Sequence, residues 1–450
     1  MTYEPTLKHA RQRDEADPLS GYRQRFALPR DANKQPSLFL CGHSLGLMPI
    51  EARTLVNEEL DDWSRLAVLG HEHARRPWIP YHENLTAGLT HLTGAQPGEV
   101  IAMNSLTVNL HLMLASFFRP NGRRTKILIE TGAFSSDRHA VTSQLAWHNL
   151  DPAQHLIELT PPPGSDSIPE DAIEACLAKH GADIALLLWP GVQFRTGQAF
   201  DLPRIARAGH LVGCVVGFDL AHSIGNMPLA LHDYDADFAV WCSYKYLNAG
   251  PGAIGGCFVH ERHFKDSHLT GWWGHEEKTR FRMDPLFRPA NGIAAWQISN
   301  PPILAAAPLI ASLAIFQDAR IERLRAKSIE LTGFLEFLVE RLGPDARFIT
   351  PRGVDSRGCQ ISIRIANSRN ESAVPNRSAG SPNDNTGSPA HVAAAPTRGR
   401  RVFERLGERG VVCDWRDPDV IRVAPVPLYN TFEEVFRFSE HLAEVLREIP

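Results

Sequence analysis

Short apolar runs alternate with helix-like stretches through the middle of the chain. The runs EVIAM (99–103), KILIE (126–130), DIALLLW (183–189), CVVGFDL (214–220), DFAVWCSY (237–244) and AIGGCFV (253–259) are separated by segments such as TVNLHLMLASFF (107–118) and LPRIARAGHL (202–211). Runs of four to seven apolar residues between helices predict a mostly parallel sheet covered on both faces. This α/β block extends from residue 98 to about 300. Before it, residues 53–69 space their apolar positions as an amphipathic helix does. After it, Pro301 and Pro302 break the chain, and residues 303–342 read as helix, with 311–342 fitting one continuous element. CQISIRI (359–365) and VIRVAP (420–425) predict two further strands, and residues 431–448 a last helix. The expected division is an N-terminal segment 1–60 that packs with the small domain, a large domain 61–310, and a smaller α+β domain 311–450.

Residues 367–400 depart from this pattern. They are rich in Ser, Asn, Pro and Gly and nearly devoid of large apolar residues. Such a stretch cannot bury enough surface to offset its ordering entropy, so a disordered insertion is expected.

Composition narrows the function classes. With 43% hydrophobic residues and a formal charge of −4, the chain can build large cores and offers no basic field for nucleic acid or membrane. A small-molecule ligand is expected. The N-terminus lacks an apolar signal-peptide core, and no apolar run approaches a membrane span, so a soluble cytoplasmic protein is expected. The seven cysteines contain no C-x-x-C pair and read as reduced thiols. No H-E-x-x-H or paired ligand spacing occurs among the 20 histidines, so no catalytic metal is expected.

The chemistry concentrates in residues 217–256. One apolar run ends at Asp219 and a second ends in Ser243-Tyr244-Lys245, followed by a Gly-rich loop. In open α/β sheets, ligands bind beyond the carboxyl ends of strands. An acid and a lysine at two such ends can converge on one crevice. Pyridoxal 5'-phosphate (PLP) needs such a pair: an amine to anchor its aldehyde, and a carboxylate to keep its ring nitrogen protonated. The same residues also fit a helix-capping aspartate and a surface lysine. Lysine is scarce, with eight in the chain, and Lys245 has the best context for a buried amine. The segment 100–118 places backbone N–H groups and Thr107 at a helix N-terminus, suited to a phosphate or to a plain N-cap by Ser105 or Thr107. Phe134 follows a strand end, where an aromatic ring can stack on a cofactor or pack in a core.

The ordered set of motifs resembles kynureninase, a fold-type-I PLP-dependent hydrolase. The matching pieces include LFLCGHSLGLMP (38–49), GHEHARRPW (70–78), MNSLTVNLHLMLASFF (103–118), FSSD (134–137) and GVQFRTGQ (191–198). They continue through D-L-A-H (219–222), S-Y-K-Y-L-N-A-G (243–250), GWWGHEEKTRF (271–281), WQISNPPIL (296–304) and VIRVAPVPLYN (420–430). The resemblance implies a seven-stranded, mostly parallel large domain and a small C-terminal domain. It implies PLP on Lys245, Asp219 at the ring nitrogen with His222 beside it, and Leu106, Thr107 and Tyr244 at the phosphate. Phe134 would stack on the ring and Asp137 would join its polar network. Trp272 and Asn300 match positions around cofactor and substrate. Ser44, His71 and Arg422 match substrate-side positions, Arg422 gripping the α-carboxylate. Tyr244 is also a candidate for helping water add to the substrate.

The implied reaction is hydrolytic cleavage of L-kynurenine or 3-hydroxy-L-kynurenine in tryptophan catabolism and NAD biosynthesis, by a homodimer with its site at the interface. Two positions depart from the family pattern: His43 stands where an asparagine is usual, and Pro190 where a hydroxyl is usual. The competing expectations are a cysteine desulfurase-like PLP enzyme and an inactive PLP-fold binding protein.

Overall fold

The computed structural model describes residues 3–30, 34–366 and 396–449. The central apolar runs form seven strands: β1 (Val100–Ala102), β2 (Lys126–Glu130), β3 (Leu156–Leu159), β4 (Ile184–Pro190), β5 (Val215–Asp219), β6 (Phe238–Cys242) and β7 (Gly255–Val259). They lie in the order β1-β7-β6-β5-β4-β2-β3. Only β7 runs against its neighbours; the remaining pairs are parallel. The sheet is thus mostly parallel, as expected.

The runs are continuously apolar because each strand feeds two cores. In β6, Ala239 and Trp241 join one buried cluster, while Phe238 and Val240 join another across the sheet. Leu187 and Trp189 of β4 share the first core, and Leu186 and Leu188 the second. A one-residue slip would exchange these sets between faces. Each such fully buried side chain contributes roughly 1.5–3 kcal/mol relative to exposure. This two-sided burial holds the strand ends, and hence the residues just beyond them, in fixed register.

Four antiparallel strands form a second sheet: β8 (Ala346–Phe348), β9 (Ile361–Ile365), β10 (Asp414–Arg416) and β11 (Val420–Val423), in the order β8-β9-β11-β10. Its core includes Ile361, Ile363, Val423, Leu331 and Phe438. The N-terminal helix α1 (Leu7–Glu15) joins this unit. The Asp14 carboxylate accepts N–H bonds from Phe432 and Glu433 at 2.7 and 2.9 Å, at the start of the last helix, Phe432–Glu448. Helix α2 (Ile50–Leu66) packs instead on α3 (Ile303–Ala319).

Two expectations are corrected. Residues 311–342 are not one helix. Helix α3 ends at Ala319, and α4 (Ile321–Glu340) starts after a bend of 80°. Arg320 takes φ +62° at the break, a conformation that cannot continue a right-handed helix. The expected insertion 367–400 falls outside the described residues over 367–395, but residues 398–400 open helix α5 (Arg398–Glu408). Thr397 caps it through the Arg400 N–H at 3.2 Å. The Arg398 side chain is buried, donating to the carbonyls of Ala366 and Ile449 and to Asp345. Among the described residues, no single helix is long and apolar enough to cross a membrane.

Candidate active site

The carboxyl ends of β2, β4, β5 and β6 open into one crevice. Its lining includes Leu106, Thr107, Phe134, Asp137, Asp219, His222, Tyr244 and Lys245. Eight of the expected site residues are therefore brought together from four chain segments.

Lys245 follows β6 by three residues and is 9% exposed. Its Nζ lies 3.2 Å from His222 Nε2 and 5.7 Å from the centre of the Phe134 ring. The Lys245 backbone is clasped from outside by the Cys41–Gly46 segment. The Gly46 N–H donates to the Tyr244 carbonyl at 2.8 Å. A Cβ on Gly46 would lie 2.2 Å from the Lys245 carbonyl oxygen, so only glycine permits this approach.

Asp219 ends β5, and its Oδ1 accepts the Ala221 N–H at 2.7 Å. The acids around it are unusual. Burial, reinforced by the neighbouring Asp219, raises the Asp137 carboxyl well above the ordinary range. Burial pushes Glu130, at the end of β2, up to about 8. At neutral pH much of Glu130 is therefore a neutral acid, and Asp137 holds its proton more firmly than an ordinary carboxyl does. Gln193 fixes the approach to Glu130: its Oε1 accepts N–H bonds from Arg195 and Thr196, which turns its Nε2 toward Glu130 Oε1 at 3.3 Å.

Burial, with the Lys245 ammonium and Arg422 nearby, holds the His222 imidazole well below its usual range. It is neutral, and its Nε2 accepts from Lys245, which leaves the proton on Nδ1. Burial also holds the Tyr244 hydroxyl above its ordinary range, so it is a neutral phenol.

Above the crevice, helix Leu106–Phe117 starts without a side-chain cap. Ser105 is its N-cap but makes no capping bond, so the first-turn N–H groups remain available to an anion. Thr107 Oγ1 meets Ser136 Oγ at 2.6 Å. These features fit PLP. An amine, an acid, an uncapped helix start and an aromatic wall converge, while Asp137 Oδ1 and His222 Nδ1 are buried without partners.

The other expected residues lie elsewhere in the single chain. Arg422 is fully buried on β11 and does not reach the lining. Its Nε and Nη2 donate to Asp414 at 3.2 and 2.7 Å, and its Nη1 donates to the Phe194 carbonyl at 2.5 Å. The Phe194 side chain lines the crevice between them. Trp272 is 46% exposed, with its Nε1 donating to the Arg280 carbonyl. Asn300 and His71 are exposed, His71 edge-on to Trp78. Ser44 is half-buried and outside the lining. His43 is buried with both ring nitrogens unpartnered, and burial together with Arg422, Arg416 and Lys245 keeps it neutral. Pro190 lines the crevice beside Asp219, its partner in the β4–β5 register.

Sequence reasoning did not single out Glu130, Gln193, Phe194 or Asp414. Glu130 carried a signal, since it is an acid at the carboxyl end of a recognised strand.

Comparison with known proteins agrees with this geometry. Residues 57–368 match the Aminotransferase class-V family, and residues 366–442 match the Kynureninase C-terminal domain. The kynureninase of Xanthomonas euvesicatoria pv. vesicatoria (strain 85-10) is 52% identical over 437 residues, covering 96% of this chain and 97% of that one. The chain belongs to the kynureninase family. The kynureninase of Xanthomonas campestris pv. campestris (strain B100) is 51% identical, with 98% of each chain covered. Among solved structures, the cystine C-S lyase C-DES in complex with cysteine persulfide aligns with a TM-score of 0.72 at 17% identity, over 91% of this chain and 97% of that one. The cysteine desulfurase CsdA from Escherichia coli aligns with a TM-score of 0.72 at 15% identity, over 96% and 99%. These likenesses establish the shared fold. The crevice lining of this chain contains no cysteine.

Proposed function

We propose that the chain is a PLP-dependent kynureninase that hydrolyses the Cβ–Cγ bond of L-kynurenine or 3-hydroxy-L-kynurenine, giving anthranilate or 3-hydroxyanthranilate and L-alanine. The observation that carries this reading is the convergence of Lys245, Asp219, His222 and Phe134 in one crevice of a kynureninase-family chain. When bound, PLP supplies an electron sink for carbanions formed on the amino acid.

The chain's own residues do the rest. Lys245 would anchor the cofactor and is the amine placed to hold and move the Cα proton. Asp219 would pair with the ring nitrogen, with Asp137 and Glu130, both raised by burial, beside it. The uncapped start of helix Leu106–Phe117, with Leu106, Thr107 and Tyr244, holds the phosphate. Phe134 would cover one face of the ring. As a neutral phenol, the Tyr244 hydroxyl orients a water rather than deprotonating it. Arg422 binds the substrate α-carboxylate through its planar fork.

We assign the division at 61–310 and 311–450 to large and small domains. We also assign a homodimer in which Ser44, His71, Trp272 and Asn300 complete the site, some of them from the second copy. Support comes from the exposure of Trp272 and Asn300 and from an apolar groove that includes Leu45, Met48 and Leu304. Tryptophan catabolism and NAD biosynthesis in the cytoplasm are the proposed setting.

The test is a steady-state assay of purified, PLP-loaded protein with both substrates, following the fluorescent aminobenzoate product. Turnover of at least one is expected. A protein that holds PLP yet yields no product from either, or that releases sulfide from L-cysteine instead, overturns the reading.

A further inference from the structure

A second constellation of ligating groups lies at the other end of the large sheet from Lys245. Glu99 immediately precedes β1, His260 immediately follows β7, and His232 lies in the connection from β5 to β6. One ligand atom from each falls within 4.8 Å of the others. Glu99 is fully buried. Its Oε1 is 3.0 Å from His232 Nδ1 and 3.8 Å from His260 Nδ1. The two imidazoles stack with centroids 4.8 Å apart and planes 15° from parallel.

We propose that Glu99, His232 and His260 form a binding site for a divalent transition ion of the zinc class. Zinc binds nitrogen and carboxylate oxygen at about 2.0–2.2 Å in tetrahedral geometry, so its ligand atoms stand roughly 3.3–3.4 Å apart. The 3.0 and 3.8 Å separations bracket that value, and the two imidazoles, nearly parallel without the ion, rotate on binding so that both ring planes meet at it. Two histidines with one carboxylate leave a fourth position for water, and the His232 side chain, 24% exposed, opens the site to solvent.

The carboxylate is already oriented as a ligand needs to be. The Gln96 N–H donates to its Oε2 at 2.7 Å and the Glu261 N–H to its Oε1 at 2.8 Å. Such supporting bonds fix ligand direction and are costly to lose. An acidic neighbour favours a cation: Asp235 Oδ1 lies 3.7 Å from His260 Nε2, although Arg262 offsets part of its charge. On metal binding, His232 moves its Nδ1 proton to the solvent side, and His260 gives up a long 3.3 Å bond from the Arg262 N–H. An ion here ties together the ends of β1 and β7 and the connection leading to β6. The site is structural and separate from the reaction chemistry.

Among the described residues there is one other such cluster, Cys41, His43 and Asp414. There Asp414 is already shared by Arg422 and Arg416, two cations that oppose a third.

The test is metal content. PLP-loaded enzyme, stripped with a chelator and then dialysed against zinc chloride, should retain one Zn2+ per chain. His232→Gln and His260→Gln should each fall to background while keeping their PLP absorbance, and Cys41→Ser should keep the ion. With Co2+ in place of Zn2+, the wild type should show visible d–d bands without a thiolate charge-transfer band, a readout that needs no variant to fold. The proposal is overturned if the wild type retains no ion, if both histidine variants keep it, if Cys41→Ser loses it, or if the cobalt protein shows thiolate ligation.

Discussion

Glu130→Gln should stabilise this protein, by an amount that grows with pH. Glu130 is buried at the end of β2, and its carboxyl is pushed from 4.5 up to about 8, first by burial and then by the charge on Asp219. A carboxyl whose folded pKa exceeds its unfolded one keeps a proton that the unfolded chain releases. Stability therefore falls as pH rises from about 4.5 and levels off above about 8. At about 1.4 kcal/mol per pKa unit, the cost is under about 1 kcal/mol at pH 5, about 3 at pH 7 and about 5 above pH 8. Glutamine keeps the shape and still accepts the Gln193 N–H, but has no proton to lose. With an unfolding entropy of about 2.1 cal/mol/K per residue, 450 residues give about 1 kcal/mol per degree. The variant's Tm should exceed the wild type's by about 1 °C or less at pH 5, about 3 °C at pH 7 and about 5 °C at pH 8.5. Paired melts of PLP-free protein across this range measure the gap. A gap that does not change with pH, or a variant less stable at pH 8.5, refutes the reasoning.

Three further outcomes test the site. Lys245→Ala should lose the visible absorbance of bound PLP and turnover together; normal turnover would remove Lys245 from its role. Asp219→Asn should bind PLP more weakly and lose most activity, checked by cofactor titration and kcat, and unchanged values would rule out a partner for the ring nitrogen. Arg422→Lys, by giving up a charge-assisted hydrogen bond of about 2 kcal/mol, should raise KM roughly thirtyfold; an unchanged KM would show that the guanidinium serves only Asp414 and the Phe194 carbonyl.

The fold was legible where period and neighbours agree. Strands buried on both faces leave unbroken apolar runs, so β4, β5 and β6 could be read directly, and the strand ends carried Asp219 and Lys245 with them. The break at Arg320 left no such mark, since neither glycine nor proline stands there and the flanking sequence favours helix. Glu130 showed its position but not its state. That state arises from Asp219 and Gln193, remote in sequence, and from the depth of burial. The Arg422–Asp414 pair arises from the β10–β11 register, a tertiary fact that a motif match does not contain. Trp272, Asn300 and His71 matched family positions, yet their exposure in the single chain follows from which surface the fold leaves open.

Asp414 does not close Arg422 to a ligand. A guanidinium has five N–H donors. Asp414 takes the Nε–H and one on Nη2, and the Phe194 carbonyl takes one on Nη1. One donor remains on each terminal nitrogen for the α-carboxylate that the proposed function brings. Charge points the same way. Arg416 also pairs with Asp414, its Nη2 donating to Oδ2 at 3.3 Å, so two guanidiniums share one carboxylate and the group keeps one positive charge in excess. A single monoanion neutralises it. Asp414 thus holds the arginine plane in place at the cost of two donors, and the charge it leaves uncompensated matches the one carboxylate that an α-amino-acid substrate brings. Phe194, which lines the crevice and whose carbonyl accepts from Nη1, ties that pair of guanidiniums to the crevice holding Lys245.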